Sequence, residues 1–396
     1  MEEVGRHAIS TLPTLVRPLL SFYEQTNRQH NLLITGYAPD VKAHVIHVLS
    51  VSSEWDAPRA SAVVTSRRWW KIPDTPTATA ACSQPLPDGG SVVAVGDAHG
   101  GVYVLRVALP RNTLDGECTA MFGENPETGD VSEYFEPAHS GSAVGPHGGR
   151  RVLALAVSHG SGDKPVLASA DAMGRVVLSQ PHSNHSSHSS FVVREGHDNS
   201  TKSVTALDVY GGNFVVTAGR ECAPCTIDAR APAGNHAVAQ CAPAPQALRP
   251  GPAGPRRVLS PEGRPELVLL GGGHGVVLAW DVRMAGRGPV AASLGSVPYG
   301  GGCVTDLTLD PCEFSGSSGI PACLASCAGG ALTRAIAHAD AVNLVPSAER
   351  GDRALLHESL PLVSVCAEPG AQSGGAFAVS QGECLCWLDV SSTTSG

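Results

Sequence analysis

The sequence predicts an all-β chain folded as a β-propeller, and three observations carry that expectation. The first is residues 267–283, LVLLGGGHGVVLAWDVR, in which two apolar runs flank a glycine turn spanning residues 271–275. Two β-rich runs around a short Gly-rich turn read as an antiparallel hairpin. The second is that degraded copies of this hairpin recur through the chain. The third is composition: 45 Gly and 30 Pro among 396 residues leave little room for long helices and suit many short strands joined by turns.

Length alone would suggest two or three domains, but repeated units that share one ring escape that expectation. Charged residues make up only 16% of the chain, which separates it from solvated, disordered sequences. The formal net charge of −9 argues against broad binding to phosphate backbones, so no direct nucleic-acid partner is expected. Arg67, Arg68 and Lys71, like Arg256 and Arg257, read as ordinary surface charge. The start, MEEVGRHAISTLPTLVRPLL, lacks the apolar core of a secretory signal. No run reaches the ~18 to 20 apolar residues of a membrane helix. The 12 cysteines are scattered, and Cys303, Cys323, Cys366 and Cys384 sit in apolar strand-like runs as small buried hydrophobes. These features together point to a reducing compartment, cytosol or nucleus.

In chain order, residues 1–12 read as a flexible tail, 13–392 as the propeller and 393–396 as a C-terminal tail. Residues 15–23 offer a lone strand or short helix; propellers often use an N-terminal strand to complete the last blade and remove the open edge. Seven hairpin-like units follow. They lie at 32–49; 92–105; 151–157 with 166–179; 203–209 with 214–228; 267–283; 303–310 with 322–337; and 360–368 with 376–390. Taking Gly36, Gly96, Ala170, Ala218, Gly271, Cys327 and Ser380 as equivalent gives spacings of 60, 74, 48, 53, 56 and 53. A propeller repeat runs ~40 to 45 residues, so loops are inserted, the longest at 110–150, 181–200 and 231–265. Seven units filling the chain predict a seven-bladed ring; the first unit is the weakest, and six plus a stray hairpin is the competing count.

Candidate chemistry is sparse. LLGGGHGVVL could pass for a phosphate-binding loop, but that chemistry needs a helix N-terminus, and β-branched VVLAWDV reads as strand. Cys222 and Cys225 have C-x-x-C spacing but lie in a blade turn with no second such pair. Cys384 and Cys386 share a strand face. His182, His185 and His188 would share a helix face and hold a metal, but the surrounding Ser and Asn read as a solvated loop. No G-x-S-x-G elbow occurs. No enzyme activity, cofactor or metal is therefore expected.

The informative residues are structural. Trp280-Asp281 is the repeat signature of WD-type propellers, and Gly196-His197, some thirty residues before Asp228, is its other half. Asp228 with Arg230, and Asp281 with Arg283, end two consecutive units as D-x-R and are expected to stabilise their hairpins. Trp280 is expected to pack between adjacent blades because Val276 and Leu278 share its face. Trp387 is assigned to the same signature in the last unit. The Trp-Asp-x-Arg box also resembles that of substrate receptors of cullin-4 ubiquitin ligases, which dock an adaptor propeller through that surface.

The overall layout resembles the small WD-repeat nucleoporin of the Y-shaped outer-ring complex of the nuclear pore. MEEV at the start, TGYAPDVKAHVIHVLSV at 35–51 and VAVGDAHGGVYVL at 93–105 are similar to its first blades. The consecutive endings TIDARAPAG (226–234) and AWDVRMAGRGPVAASL (279–294), and the terminal segment 360–390, are similar to its later ones. The sequence departs in unit six, which lacks D-G-x-x-x-x-W, and in unit four, where Ile227 stands for Trp. The resemblance implies a non-enzymatic scaffold at the nuclear envelope, part of a hetero-oligomer with other nucleoporins and acting in nucleocytoplasmic transport. Loops at 110–150, 181–200 and 338–358 are the candidate contact regions. A propeller methyl-esterase or other hydrolase is a further alternative, and it needs clustered polar residues in the central channel.

Overall fold

The computed structural model describes residues 2–9, 12–18, 22–23, 27–39, 42–54, 62–71, 78–85, 90–108, 136–139, 147–159, 165–179, 189–192, 203–210, 213–228, 230, 237–251, 254–261, 264–295, 302–312, 319–343, 354–367 and 375–389. These form 29 strands in seven antiparallel sheets, the organisation of a β-propeller. After β1 (Glu2–Ala8), the first sheet comprises β2 (Leu12–Pro18), the short β3 (Phe22–Tyr23), β4 (Asn27–Ala38), β5 (Ala43–Glu54) and β6 (Ala62–Lys71). The second holds β7 (Ala78–Pro85), β8 (Gly90–Asp97), β9 (Val102–Ala108) and β10 (Glu136–His139). The third holds β11 (Val152–His159), β12 (Pro165–Asp171), β13 (Arg175–Ser179) and β14 (Ser189–Val192). The fourth holds β15 (Val204–Tyr210), β16 (Phe214–Gly219), β17 (Cys225–Asp228) and β18 (Ala237–Gln240). The fifth holds β19 (Val258–Leu259), β20 (Leu267–Gly271), β21 (Val277–Asp281) and β22 (Ala291–Ala292). The sixth holds β23 (Val304–Leu309), β24 (Cys323–Cys327), β25 (Ala331–Ala335) and β26 (Ala354–His357). The seventh holds β27 (Leu362–Ala367), β28 (Gly375–Ser380) and β29 (Cys384–Asp389), and its fourth strand is β1.

That last pairing corrects the expected N-terminal tail. Residues 2–8 are a strand in register with β29, from Glu2 opposite Asp389 to Ala8 opposite Cys384. The Ile9 N–H then donates to Glu383 O at 2.8 Å, and Arg6 pairs with Glu358 at 2.7 Å. The strand expected over 15–23 falls instead in the first sheet, as the end of β2 and β3. The physical reason is the same edge problem: an unpaired β29 would expose a row of N–H and C=O groups, and the chain covers it with its own first residues.

A single four-stranded sheet cannot bury both faces alone, so each lays them on its neighbours. Six apolar clusters are drawn each from two consecutive sheets; one joins Val16, Leu32 and Ile34 of the first sheet to Phe377, Val379 and Leu385 of the seventh. The first strands also meet in succession: β2 lies against β7, β7 against β11, β11 against β15, β15 against β19, β19 against β23, β23 against β27, and β27 against β2.

The first strand carries a repeated irregularity. Register shifts fall between Pro13 and Leu15, Ala78 and Ala80, Val152 and Ala154, Val204 and Ala206, Val304 and Asp306, and Leu362 and Ser364. In each, one extra residue is left unpaired and the strand bends. At Thr79 and Thr305 the hydroxyl of that residue ties two sheets together. Thr79 Oγ1 lies 3.2 Å from Gly96 O on its own sheet and 2.5 Å from Val152 O at the start of the next. Thr305 Oγ1 lies 3.0 Å from Ser326 O and 2.7 Å from Leu362 O of the following sheet. Each hydroxyl has one proton, and in both cases the nearer acceptor belongs to the neighbouring sheet.

Two glycines mark the same junction from the other side. A Cβ on Gly96 would stand 2.6 Å from Val152 Cγ1, and one on Gly271 would stand 2.6 Å from Val304 Cγ1. Glycine is required there because the next sheet's first valine fills the space. Gly271→Ala is therefore expected to destabilise the protein by about 1–3 kcal/mol in chemical denaturation, the usual cost of overpacking. Adding Val304→Ala should recover much of that loss, whereas strictly additive effects would show that the two residues do not meet.

Candidate interaction surface and axial cavity

The organising hairpin forms as β20 and β21, with Val268 opposite Trp280 and Leu267 opposite Asp281. Its turn is a single 3-10 turn over residues 273–275, in which His274 and Gly275 take positive φ of 56° and 73°. Trp280 has no exposed surface and lies with Val276 and Leu278 in the cluster shared by the fourth and fifth sheets. Its indole N–H donates to Ala242 O, just after β18, at 3.2 Å.

At the register of Trp280 the fourth sheet carries Ile227, the sixth Ala335 and the seventh Leu388, each facing the sheet before it. Trp387 thus sits one residue early for the WD signature. Strand alternation turns it to the opposite face, where it stacks on Phe377 at 5.6 Å in the cluster shared with the first sheet. Gly196 and His197 lie outside the described residues.

The two D-x-R endings form the same local clip. Arg230 Nε and Nη2 donate to Asp228 at 2.9 and 2.8 Å, and the Arg230 backbone N–H adds a third bond at 2.9 Å. Arg283 repeats this on Asp281, with 2.9 Å from Nε, 2.5 Å from Nη2 and 3.0 Å from the backbone. Hydrogen bonding from the arginine side chains, chiefly, holds both carboxyls below the usual carboxylate range. The guanidiniums stay at the surface, 58% exposed for Arg230 and 70% for Arg283, so each clip adds little stability. Arg230 also lies 4.9 Å over the Phe214 ring. What each clip does is fix an arginine face outward on consecutive sheets.

Sequence reasoning missed a buried polar group at His147, inside the segment read as an insertion. His147 Nδ1 lies 3.2 Å from Asp171 Oδ2, and Nε2 lies 2.7 Å from Ser169 Oγ. With Nδ1 protonated, the ring donates to the carboxylate and accepts from the serine. The Ser–His–Asp order matches that of hydrolase triads, but all three residues have no solvent exposure, so a substrate carbonyl has no approach. The group is a clamp. Asp171 Oδ1 also accepts the N–H groups of Met173 and Arg175, closing the β12–β13 turn. Burial alone would raise the Asp171 pKa; the bonds from His147, Arg175 and Met173 outweigh it and hold the carboxyl low. Its contribution is thus present above the ordinary carboxylate range and lost as pH falls through the depressed value. Asp97 closes the β8–β9 turn likewise, accepting from His99 and Gly101. The legible signal was the shared D-A-x-G turn.

The described cysteines show no reactive set. No two described cysteines are joined in a disulfide. Burial pushes the Cys222 and Cys323 thiols up to about 12. Among the described residues no cluster of three or more His, Cys, Asp or Glu is placed to hold a metal. No helix among them is long and apolar enough to cross a membrane. His182, His185 and His188 lie outside the described residues.

The first strands surround an axial cavity of about 460 Å³. The bulge residues Thr79, Leu153, Thr205, Thr305 and Val363 line it, and Arg151, Arg256 and Arg257 stand among them. Its described lining includes no Ser, Cys or His, and the Thr79 and Thr305 hydroxyls are engaged by carbonyls.

No protein-family model matches the chain, and no curated protein matches it. Among solved structures it is similar to Raptor from Chaetomium thermophilum, with a TM-score of 0.54 and 13% identity. The match covers 98% of this chain and 28% of that one, so the chain spans about 28% of its length. At that identity the likeness shows the fold alone, a WD-like propeller.

Trp280→Ala is expected to cost roughly 3–5 kcal/mol, the range for a buried large aromatic. Thermal melts of the purified variant check this. An unchanged melting point with lost partner binding would place the indole's role outside the core.

Proposed function

We propose that the seven sheets are the blades of one closed WD-repeat ring, and that the ring is a non-enzymatic scaffold. In this reading the chain is a structural subunit of the nuclear pore outer-ring Y complex, held at the nuclear envelope by other nucleoporins and supporting nucleocytoplasmic transport. The observation that carries it is the pair of D-x-R clips on consecutive sheets, Asp228–Arg230 and Asp281–Arg283. They occur within two of the strings, 226–234 and 279–294, by which the sequence resembles that nucleoporin family. The polar groups that would be candidates for chemistry are spent inside the fold, as the His147 clamp is, which supports a binding role over a catalytic one. The axial cavity is not purely apolar, so polarity alone does not dismiss a hydrolase; its described lining offers no nucleophile–base pair.

A second reading, a cullin-4 ligase substrate receptor, is favoured by one feature: the Arg283 side chain is 70% exposed although clipped to Asp281. Affinity purification from native cells with mass spectrometry separates the two. Recovery of outer-ring nucleoporins, undiminished by Arg283→Asp, is the expected result. Recovery of a ligase adaptor that Arg283→Asp abolishes, with the melting point unchanged, would replace the scaffold reading with the receptor.

A further inference from the structure

The axial cavity is asymmetric in charge. Most sheets line it with uncharged bulge residues, whereas Arg151 precedes β11 and Arg256 and Arg257 precede β19, two sheets further on. Thr205 belongs to the sheet between them, and the backbone at Gly254 comes so close that a Cβ there would stand 2.6 Å from the Thr205 hydroxyl. Arg257 acts on the half-buried Asp208, whose carboxylate also accepts the Ser260 N–H at 2.8 Å. Arg151 and Arg256 are exposed and make no ion pair or side-chain hydrogen bond among the described residues.

The one carboxylate in the described lining does not answer them. Asp306 is buried and turned toward the seventh sheet, where it accepts the Ser364 hydroxyl and the Val365 N–H at 3.3 Å. A chain of net charge −9 thus holds two arginines, with no side-chain partner among the described residues, in the lining of a cavity of about 460 Å³. That volume is in the range of small-ligand sites. A concave wall of one sign focuses its field on an anion, and the planar guanidinium fork matches phosphate oxygens two at a time.

We propose that the Arg151–Arg256 side of the axial cavity binds a phosphate group, carried either by a small polyanionic metabolite or by a phosphorylated side chain. The site stands apart from the assembly in which the ring serves, so its failure leaves the scaffold reading intact. Isothermal titration of the full chain with inorganic pyrophosphate, and separately with a phosphoserine peptide and its unphosphorylated form, tests it. Saturable 1:1 binding of a phosphate-bearing probe is expected. It should weaken about tenfold or more in Arg151→Gln and in Arg256→Gln, as for loss of a charge-assisted pair. Arg287→Gln, an equal charge change on the exposed segment after β21, should leave it unchanged. Tighter pyrophosphate assigns the carrier as a metabolite, and tighter phosphopeptide as a partner. Absence of saturable binding by either probe, or equal weakening in Arg287→Gln, overturns the proposal.

Discussion

The structure depends on the junction between one sheet and the next. Each sheet has two apolar faces and too little chain to cover either, so neither face is stable without a neighbour. The junction is built at the start of the first strand, where an extra residue bends the backbone and, at Thr79 and Thr305, a hydroxyl crosses to the next sheet's carbonyl. Beside it, Gly96 and Gly271 make room for Val152 and Val304. The pairing of β1 with β29 extends the same logic to the chain ends, covering the edge that a linear series of sheets would leave open.

The arrangement also governs which polar groups remain for function. Inside the sheets they are consumed: Asp97 and Asp171 close turns, His147 joins Asp171 to Ser169, and Asp306 reaches across to the seventh sheet. At the surface, Arg230 and Arg283 are oriented by their own aspartates and left facing outward. Along the axis, the bulges turn side chains inward, and arginines near two of the first strands give one side of the cavity its charge.

Much of this was legible in the sequence because strand alternation and glycine turns are local signals. The hairpin at 267–283 and its six relatives mark second strands of all seven sheets, with Gly36, Gly96, Ala170, Ala218, Gly271, Cys327 and Ser380 in the last residues of those strands. What was not legible depended on register or on distance. Trp387 stands one residue from the signature position, and one residue is enough to reverse its face. His147 lies 24 positions from Asp171, in a Gly- and Pro-rich segment whose composition reads as loop. β1 is acidic at its start and unlike a core strand, because its role is to pair with an edge 380 or so residues away. The cavity arginines read as surface charge, since nothing local shows that two separated sheets bring them to one opening.

Ring closure is the claim on which the rest stands, and hydrogen–deuterium exchange at the N-terminal strand tests it most directly. Amides of residues 3–8 that pair with β29 should exchange as slowly as those of β28 and β29, because opening them requires the seventh sheet to part. Exchange of residues 3–8 at unstructured-chain rates, with β28 and β29 still protected, would show that the first strand does not complete the last sheet.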